Sequence, residues 1–242
     1  MTKLISFTPA NVGSATPTIQ GDVTVFDVAS GTRRLILDGP TITARRTAAV
    51  SALGARWLAP DTAGPMLIVG AGVQGRAHLE VFAQVLGVRR FRIASRSAAS
   101  AQTLVDHAQA LGLQADVVPD ADAVLADCPL IVTCTPASGV VLRALPRVDA
   151  FIAAVGAFTP QMVELAPGLC RHVAACGRIV VDTREAEHEA GDLLQAGIDV
   201  GACPSLGDVV RAGQRDGRGP VLFKSCGWAG WDLAAARLAM RE

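Results

Sequence analysis

Three glycines in the stretch MLIVGAGVQGRAHLEVF, Gly70, Gly72 and Gly75, follow an apolar run and open a helical pattern. That spacing suits a diphosphate. The first glycine permits a tight turn out of a strand, the second lets backbone amides approach phosphate oxygens, and the third lets the helix pack close to the strand. The N–H groups of the helix start then face the anion. The candidate contacts are Gly70, Ala71, Gly72, Val73, Gln74 and Gly75. An ordinary strand–helix turn would use the same glycines, but here the next apolar run follows at the length of a βαβ unit, which favours a dinucleotide.

The end of that next run selects between the two nicotinamide dinucleotides. An acid there would bind the ribose 2′-hydroxyl. The sequence instead has IASRSAAS, placing Ser95, Arg96 and Ser97 at this point. A guanidinium flanked by hydroxyls suits a 2′-phosphate, so NADP(H) is the expected cofactor, with NAD(H) as the alternative. A solvated surface arginine is the plainer reading of Arg96. Thr133, Thr135 and Val155, at the ends of later apolar runs, complete the candidate cofactor contacts on this side of the chain.

A second anion site is suggested by TITARRTAAVSALGARWL, residues 41–58. Val50, Leu53, Trp57 and Leu58 recur with helical spacing, and Pro60 ends the run. With Thr41 or Thr43 as N-cap, Arg45 and Arg46 fall in the first turn. There the helix dipole disfavours cations by about 0.3–1 kcal/mol each unless an anion binds them.

The elements that must position these residues follow from the hydrophobic pattern. MLIVG, FRIAS, ADVV, LIVTC, FIAAV and RIVVD read as buried strands, separated by Ala/Leu-rich helices closed by glycine. This predicts an α/β fold, a doubly wound parallel sheet of Rossmann type. The first forty residues differ: DVTVFDV and RRLILDG alternate on either side of ASGT, as an antiparallel hairpin does. The tail VLFKSCGWAGWDLAAARLAMRE holds a short strand or loop and a helix from about Trp231. The expected segments are 1–58, the N-terminal part of a substrate and dimerisation domain; 59–202, the dinucleotide-binding domain; and 203–242, a return to the first.

Composition excludes several classes. The 242 residues carry 22 basic and 22 acidic side chains and are half hydrophobic, so no basic excess tracks nucleic acid. The apolar runs are too short to span a membrane, and the N-terminus lacks the pattern of a signal peptide. Six cysteines without a CxxC pair read as reduced thiols of a cytoplasmic protein, and four histidines do not join them at metal-ligand spacing, so no metal is expected. Glu185, Glu187, His188 and Glu189 read as a solvated helix start, and Trp228 and Trp231 as packing residues.

Taken together, KLISFTPAN, TITARRTAAVSALG, VGAGVQGRAH, AVGAFTPQMVEL, VVDTREAEHEAGDLLQAG and LFKSCGWAGWDLAAA resemble the ornithine cyclodeaminase/mu-crystallin family in order and spacing. The resemblance implies a Rossmann domain inserted into a second, α+β domain that binds substrate and forms a homodimer. It implies that Arg46 binds a substrate carboxylate, with Thr47 beside it near the cofactor. It also makes Lys3 an active-site lysine, where its residue type alone reads as a solvated terminal lysine. Lys224 is expected to line the cofactor site on the same ground. Where the family's cyclodeaminases carry an aspartate, this sequence has Phe158, which can neither accept a proton nor orient water. The resemblance therefore points to reduction of small cyclic ketimines carrying a carboxylate, with Phe158 against the ring and Lys3, Thr159 or a bound water as proton donor. A non-catalytic NADPH-binding protein and an amino-acid dehydrogenase are the alternatives. Family members usually carry a further segment, with another carboxylate-binding arginine, ahead of the residues matching Lys3, so the expectation is an N-terminally shortened form.

Overall fold

The computed structural model describes residues 1–11, 14, 16–213 and 219–241. The chain divides into two units, one formed by Met1–Thr47 and Trp228–Glu242, the other by Ala48–Gly227. The larger unit thus begins before the expected residue 59 and ends after the expected residue 202. The physical reason lies in two pieces of chain. The second half of the long first helix packs on the large sheet, where Gly54 leaves room for the ring of Phe223, and Val221–Lys224 is a strand of that sheet.

In the first unit, β1 (Thr2–Phe7), β2 (Ile19–Phe26) and β3 (Arg33–Asp38) form an antiparallel sheet in the order β1-β2-β3. The expected hairpin is β2–β3, and its turn is tied by the carboxylate of Asp27, which accepts from the N–H groups of Ala29 and Ser30. Alternation sets the faces. Val23 and Val25 point inward and pack with Leu35, Leu37, Ile42 and Ala236. Lys3 pairs with Val23 and shares that inner side, whereas Leu4 and Ile36 look outward.

Helix α1 (Gly39–Leu58) starts two residues before Thr41. Its cap is neither Thr41 nor Thr43: the Asp38 carboxylate accepts from the Thr41 N–H at 2.7 Å. Arg45 and Arg46 consequently stand one turn further in than expected, beyond the strongest part of the dipole. The cap replaces the missing acid of the first turn, a role strand-ending aspartates fill well.

The second unit runs β4 (Met66–Val69), α2 (Val73–Leu86), β5 (Arg90–Ala94), α3 (Ala98–Ala110), β6 (Gln114–Val117), α4 (Ala121–Val124), β7 (Leu130–Thr133), β8 (Ser138–Leu142), β9 (Phe151–Ala154), β10 (Val163–Leu165), α5 (Pro167–Cys176), β11 (Arg178–Val181), α6 (Gly191–Gln195), α7 (Leu206–Ala212) and β12 (Val221–Lys224). Seven of these strands form one parallel sheet in the order β11-β12-β9-β7-β4-β5-β6. The chain order reverses at β4, with β5 on one side and β7 on the other, which is the crevice where such sheets bind ligands. Every residue of β4, β7, β9 and β12 is buried, as strands covered on both faces require. Phe151 and Phe223 stack on neighbouring strands with ring centroids 6.2 Å apart. Each such side chain contributes about 1.5–3 kcal/mol by leaving water.

A small parallel pair, β8 with β10, was not legible as strands, and it carries the site's main buried acid. Helix α8 (Ala229–Ala239) belongs to the first unit and begins two residues before the expected Trp231.

Candidate active site

The glycine loop has the shape the motif demands. Gly70 adopts φ +116°, and a Cβ there would stand 2.7 Å from the carbonyl oxygen of Cys134. A Cβ on Gly75 would run into the carbonyl of Gly70, so only glycine lets α2 sit this close to β4. Around Gly72, by contrast, no heavy atom lies within 4 Å of the added Cβ position. Gly72 is also the N-cap of α2, and no side chain caps that end. Open space at an uncapped helix start, above the reversal point of the sheet, fits a diphosphate. Ala71 and Gln74 are half-buried, Val73 is exposed, and the side-chain oxygen of Gln74 is buried without a hydrogen-bond partner.

Beneath this loop, α2 is anchored by His78. Its Nδ1 donates to the carbonyl of Gln74 at 2.8 Å, and its Nε2 accepts from Ser51 at 2.9 Å. Burial removes water from the ring and lowers its pKa to about 4, so it is neutral.

Following β5, Arg96 and Ser97 are exposed and Ser95 half-buried; the Ser97 hydroxyl caps α3 by accepting from the Ser100 N–H. The ends of β7, β9 and β12 are joined differently from expectation. Thr133 is fully buried and donates its hydroxyl to Glu164, so its side chain faces the interior and not a ligand. Lys224 is likewise fully buried, and its ammonium lies 2.8 Å from Asp192. An ammonium in that position is held by its carboxylate because leaving it unpaired in the interior would cost several kcal/mol. It is a structural cation, not a lining residue. Thr135 and Val155 remain half-buried at their strand ends.

Glu164 gathers this edge. Its carboxylate accepts from Thr133 Oγ1, from both the N–H and hydroxyl of Thr135, and from the N–H of Gly156, all within 2.8 Å. Burial pushes its carboxyl upward, against the pull of the Thr135 N–H. Beside it the Cys134 thiol is also pushed upward, first by burial and then by the charge of Glu164. Cys226 is pushed up to about 12 by burial, so it is an inert thiol. The loop after β9 presents Phe158 half-exposed and Thr159 half-buried.

The first unit contains a separate charged cluster. Lys3 Nζ lies 2.9 Å from Asp232 Oδ1 and donates to the Thr43 hydroxyl at 2.7 Å. Arg46 Nε lies 3.2 Å from the same Asp232 oxygen. Strand β1 supplies the lysine, α1 the arginine and α8 the aspartate. The sequence brings Lys3 and Arg46 forward as candidates; the structure adds Asp232, which sequence reasoning missed. Its signal was an acid one residue after Trp231, amid the apolar run AGWDLAAA, a position that a charge occupies only with partners. Because Arg46 engages Asp232 through Nε, its terminal nitrogens keep the fork that grips a carboxylate. Two cations against one carboxylate leave one positive charge for an incoming anion. Thr47, the next residue, is buried.

Trp228 and Trp231 pack edge to face with centroids 5.5 Å apart. Arg184–His188 is a 3-10 turn and not the start of an α-helix, and Glu185, Glu187, His188 and Glu189 are exposed. Among the described residues, no His, Cys, Asp and Glu group is placed to hold a metal ion, and no helix is long and apolar enough to cross a membrane.

Known proteins resemble this chain over nearly its whole length. The chain is 40% identical over 242 residues to a Δ1-pyrroline-2-carboxylate/Δ1-piperideine-2-carboxylate reductase of Azospirillum brasilense, spanning 98% of this chain and 75% of that protein. It is 39% identical over 243 residues to Δ1-pyrroline-2-carboxylate reductase 2 of Burkholderia ambifaria, with the same coverage of 98% and 75%. Among solved structures, that of Thermococcus litoralis Δ1-pyrroline-2-carboxylate reductase in complex with NADH and L-proline superposes with a TM-score of 0.89 at 25% identity, covering 99% of this chain and 76% of that one. The sequence profile of one family matches residues 1–242. The chain belongs to the ornithine cyclodeaminase/mu-crystallin family.

Proposed function

We propose that this protein is an NADPH-dependent reductase of the C=N bond in small cyclic ketimines, converting Δ1-pyrroline-2-carboxylate to L-proline and Δ1-piperideine-2-carboxylate to L-pipecolate. The observation that carries the reading is the convergence of Lys3 and Arg46 on one oxygen of Asp232, which leaves a net positive, partly enclosed grip for a carboxylate. The named activities of the two reductases at 39% and 40% identity support the same substrate class.

The residues divide the work. Arg46, through its terminal nitrogens, and Lys3 hold the substrate carboxylate and so fix the imine carbon; positioning of this kind supplies several kcal/mol of the barrier reduction. Gly70–Gly75 would hold the diphosphate of a nicotinamide cofactor, which when bound would supply a hydride. Hydride addition at C2 moves the π electrons of C=N onto nitrogen, which needs one proton. An imine that arrives as its iminium already carries it; otherwise Lys3 and Thr159 are the donors on this chain. Phe158 offers the ring methylenes an apolar wall.

The preference for NADPH is supported by Arg96 with Ser95 and Ser97, exposed side chains where a 2′-phosphate would lie. A homodimer is supported by the outward face of the three-stranded sheet, which exposes Leu4, Phe26 and Ile36.

The deciding experiment follows NADPH absorbance with Δ1-pyrroline-2-carboxylate and Δ1-piperideine-2-carboxylate as substrates. Substrate-dependent oxidation that yields L-proline and L-pipecolate is expected. Tight NADPH binding without oxidation by either imine would overturn the reading and leave a binding protein.

A further inference from the structure

A buried relay crosses the sheet beneath the strand ends. Lys224 Nζ on β12 lies 2.8 Å from Asp192 Oδ2, while Asp192 Oδ1 accepts the N–H groups of Glu164 and Leu165 on β10. Glu164 then turns its carboxylate back towards β7 and β9, where each oxygen accepts two donors: Oε1 takes the N–H and hydroxyl of Thr135, and Oε2 takes Thr133 Oγ1 and the Gly156 N–H. Two of these four partners, the N–H groups of Thr135 and Gly156, can only donate, so each carboxylate oxygen accepts at least one backbone hydrogen bond. The fit is close enough that a side chain at Gly156 would strike both the Thr135 carbonyl and the Glu164 carboxylate.

The two loops held in this way have different tasks. Residues 133–135 border the glycine turn, since Gly70 abuts the Cys134 carbonyl and Cys134 Sγ lies 3.3 Å from the Gly70 oxygen. Residues 156–159 carry Phe158 and Thr159. The β7–β9 ladder joins them at its last rung, where the Val155 N–H donates to the Thr133 carbonyl at 2.9 Å; beyond it no backbone bond among the described residues links 134–135 to 156–159. Among the described residues, Glu164 is the side chain that hydrogen-bonds both.

We propose that Glu164 is a positioning residue, whose carboxylate locks the loop beside the dinucleotide turn to the loop bearing Phe158, so that cofactor and ketimine are presented in one frame. Its substrate arm rests on the reductase reading; its cofactor arm does not.

Glu164→Gln keeps the shape but sets an amide NH2 against two of the four donors. The NADPH dissociation constant, read by NADPH fluorescence, should rise about tenfold, and kcat/KM for Δ1-pyrroline-2-carboxylate should fall about a hundredfold, by the loss of charge-assisted hydrogen bonds. Thr133→Val, an isosteric change at a fully buried side chain, should raise the same constant a fewfold, and Thr133→Ser should restore it. Leu169→Ala, a core truncation on α5, controls for lost stability and should leave the constant within about twofold below its own unfolding transition. The proposal is overturned if folded Glu164→Gln binds NADPH as the parent does. It is equally overturned if Leu169→Ala weakens binding as much. Should Glu164→Gln fail to fold, Thr133→Val decides: unchanged binding rejects the idea. Absence of imine reduction by the parent would reject the reductase reading alone, because the NADPH titration does not depend on it.

Discussion

Arg46 and Lys3 meet on a single oxygen, Oδ1 of Asp232, at 3.2 and 2.9 Å. The three side chains are mostly buried, at 12%, 18% and 5% exposure, so their mutual attraction is only weakly screened. Asp232→Asn would leave two cations facing each other across a neutral amide. Chemical denaturation should show a loss of about 2 kcal/mol, the size of a hydrogen bond to a charged group. An unchanged unfolding midpoint would show that the cluster does not hold β1, α1 and α8 together.

Arg46→Ala removes the carboxylate fork while leaving the cofactor loop untouched. KM for Δ1-pyrroline-2-carboxylate should rise about a hundredfold, the loss of a bidentate charge-assisted pair. The NADPH dissociation constant should stay within about twofold of the parent value, and a parallel rise in both would assign Arg46 to the cofactor instead.

Arg96→Ala tests cofactor choice. NADPH binding should weaken about tenfold while NADH binding is unaltered, since only the former has a phosphate for the guanidinium to meet. Titrating both cofactors against both proteins measures the ratio, and an equal change in the two would remove the 2′-phosphate role.

His78 makes stability depend on pH. Its folded pKa, lowered to about 4, lies below the 6.5 of the exposed group, so between these values the unfolded chain binds the proton that the folded chain refuses. Stability is therefore full above about pH 6.5 and falls as pH drops towards 4, by about 2 kcal/mol between pH 7 and pH 5. Urea unfolding at those two values should show this loss, and His78→Asn should show a smaller one.

Much of the architecture was open to reading without coordinates. The six apolar runs appear as strands of one parallel sheet, and DVTVFDV with RRLILDG as a hairpin, because burial on two faces or on one imposes its own periodicity. The start of α1 was misplaced because a short side chain just ahead of the helix, Asp38, does the capping, and several residues nearby are equally suited to it. Strand β12 was ambiguous because three apolar residues followed by lysine fit a loop as well as a strand.

By itself the sequence determined the glycine turn, the run of strands and helices around it, and Arg46 and Lys3 as candidates through likeness to a family. These depend on local spacing, which the chain displays directly. Only the tertiary structure decided which charges meet. It set Asp232 against Lys3 and Arg46 across 229 and 186 residues of chain, withdrew Lys224 into the interior against Asp192, and made Glu164 the acceptor of two loops. A buried charge is tolerable only beside its partner, and in each case that partner comes from a distant element brought near by packing.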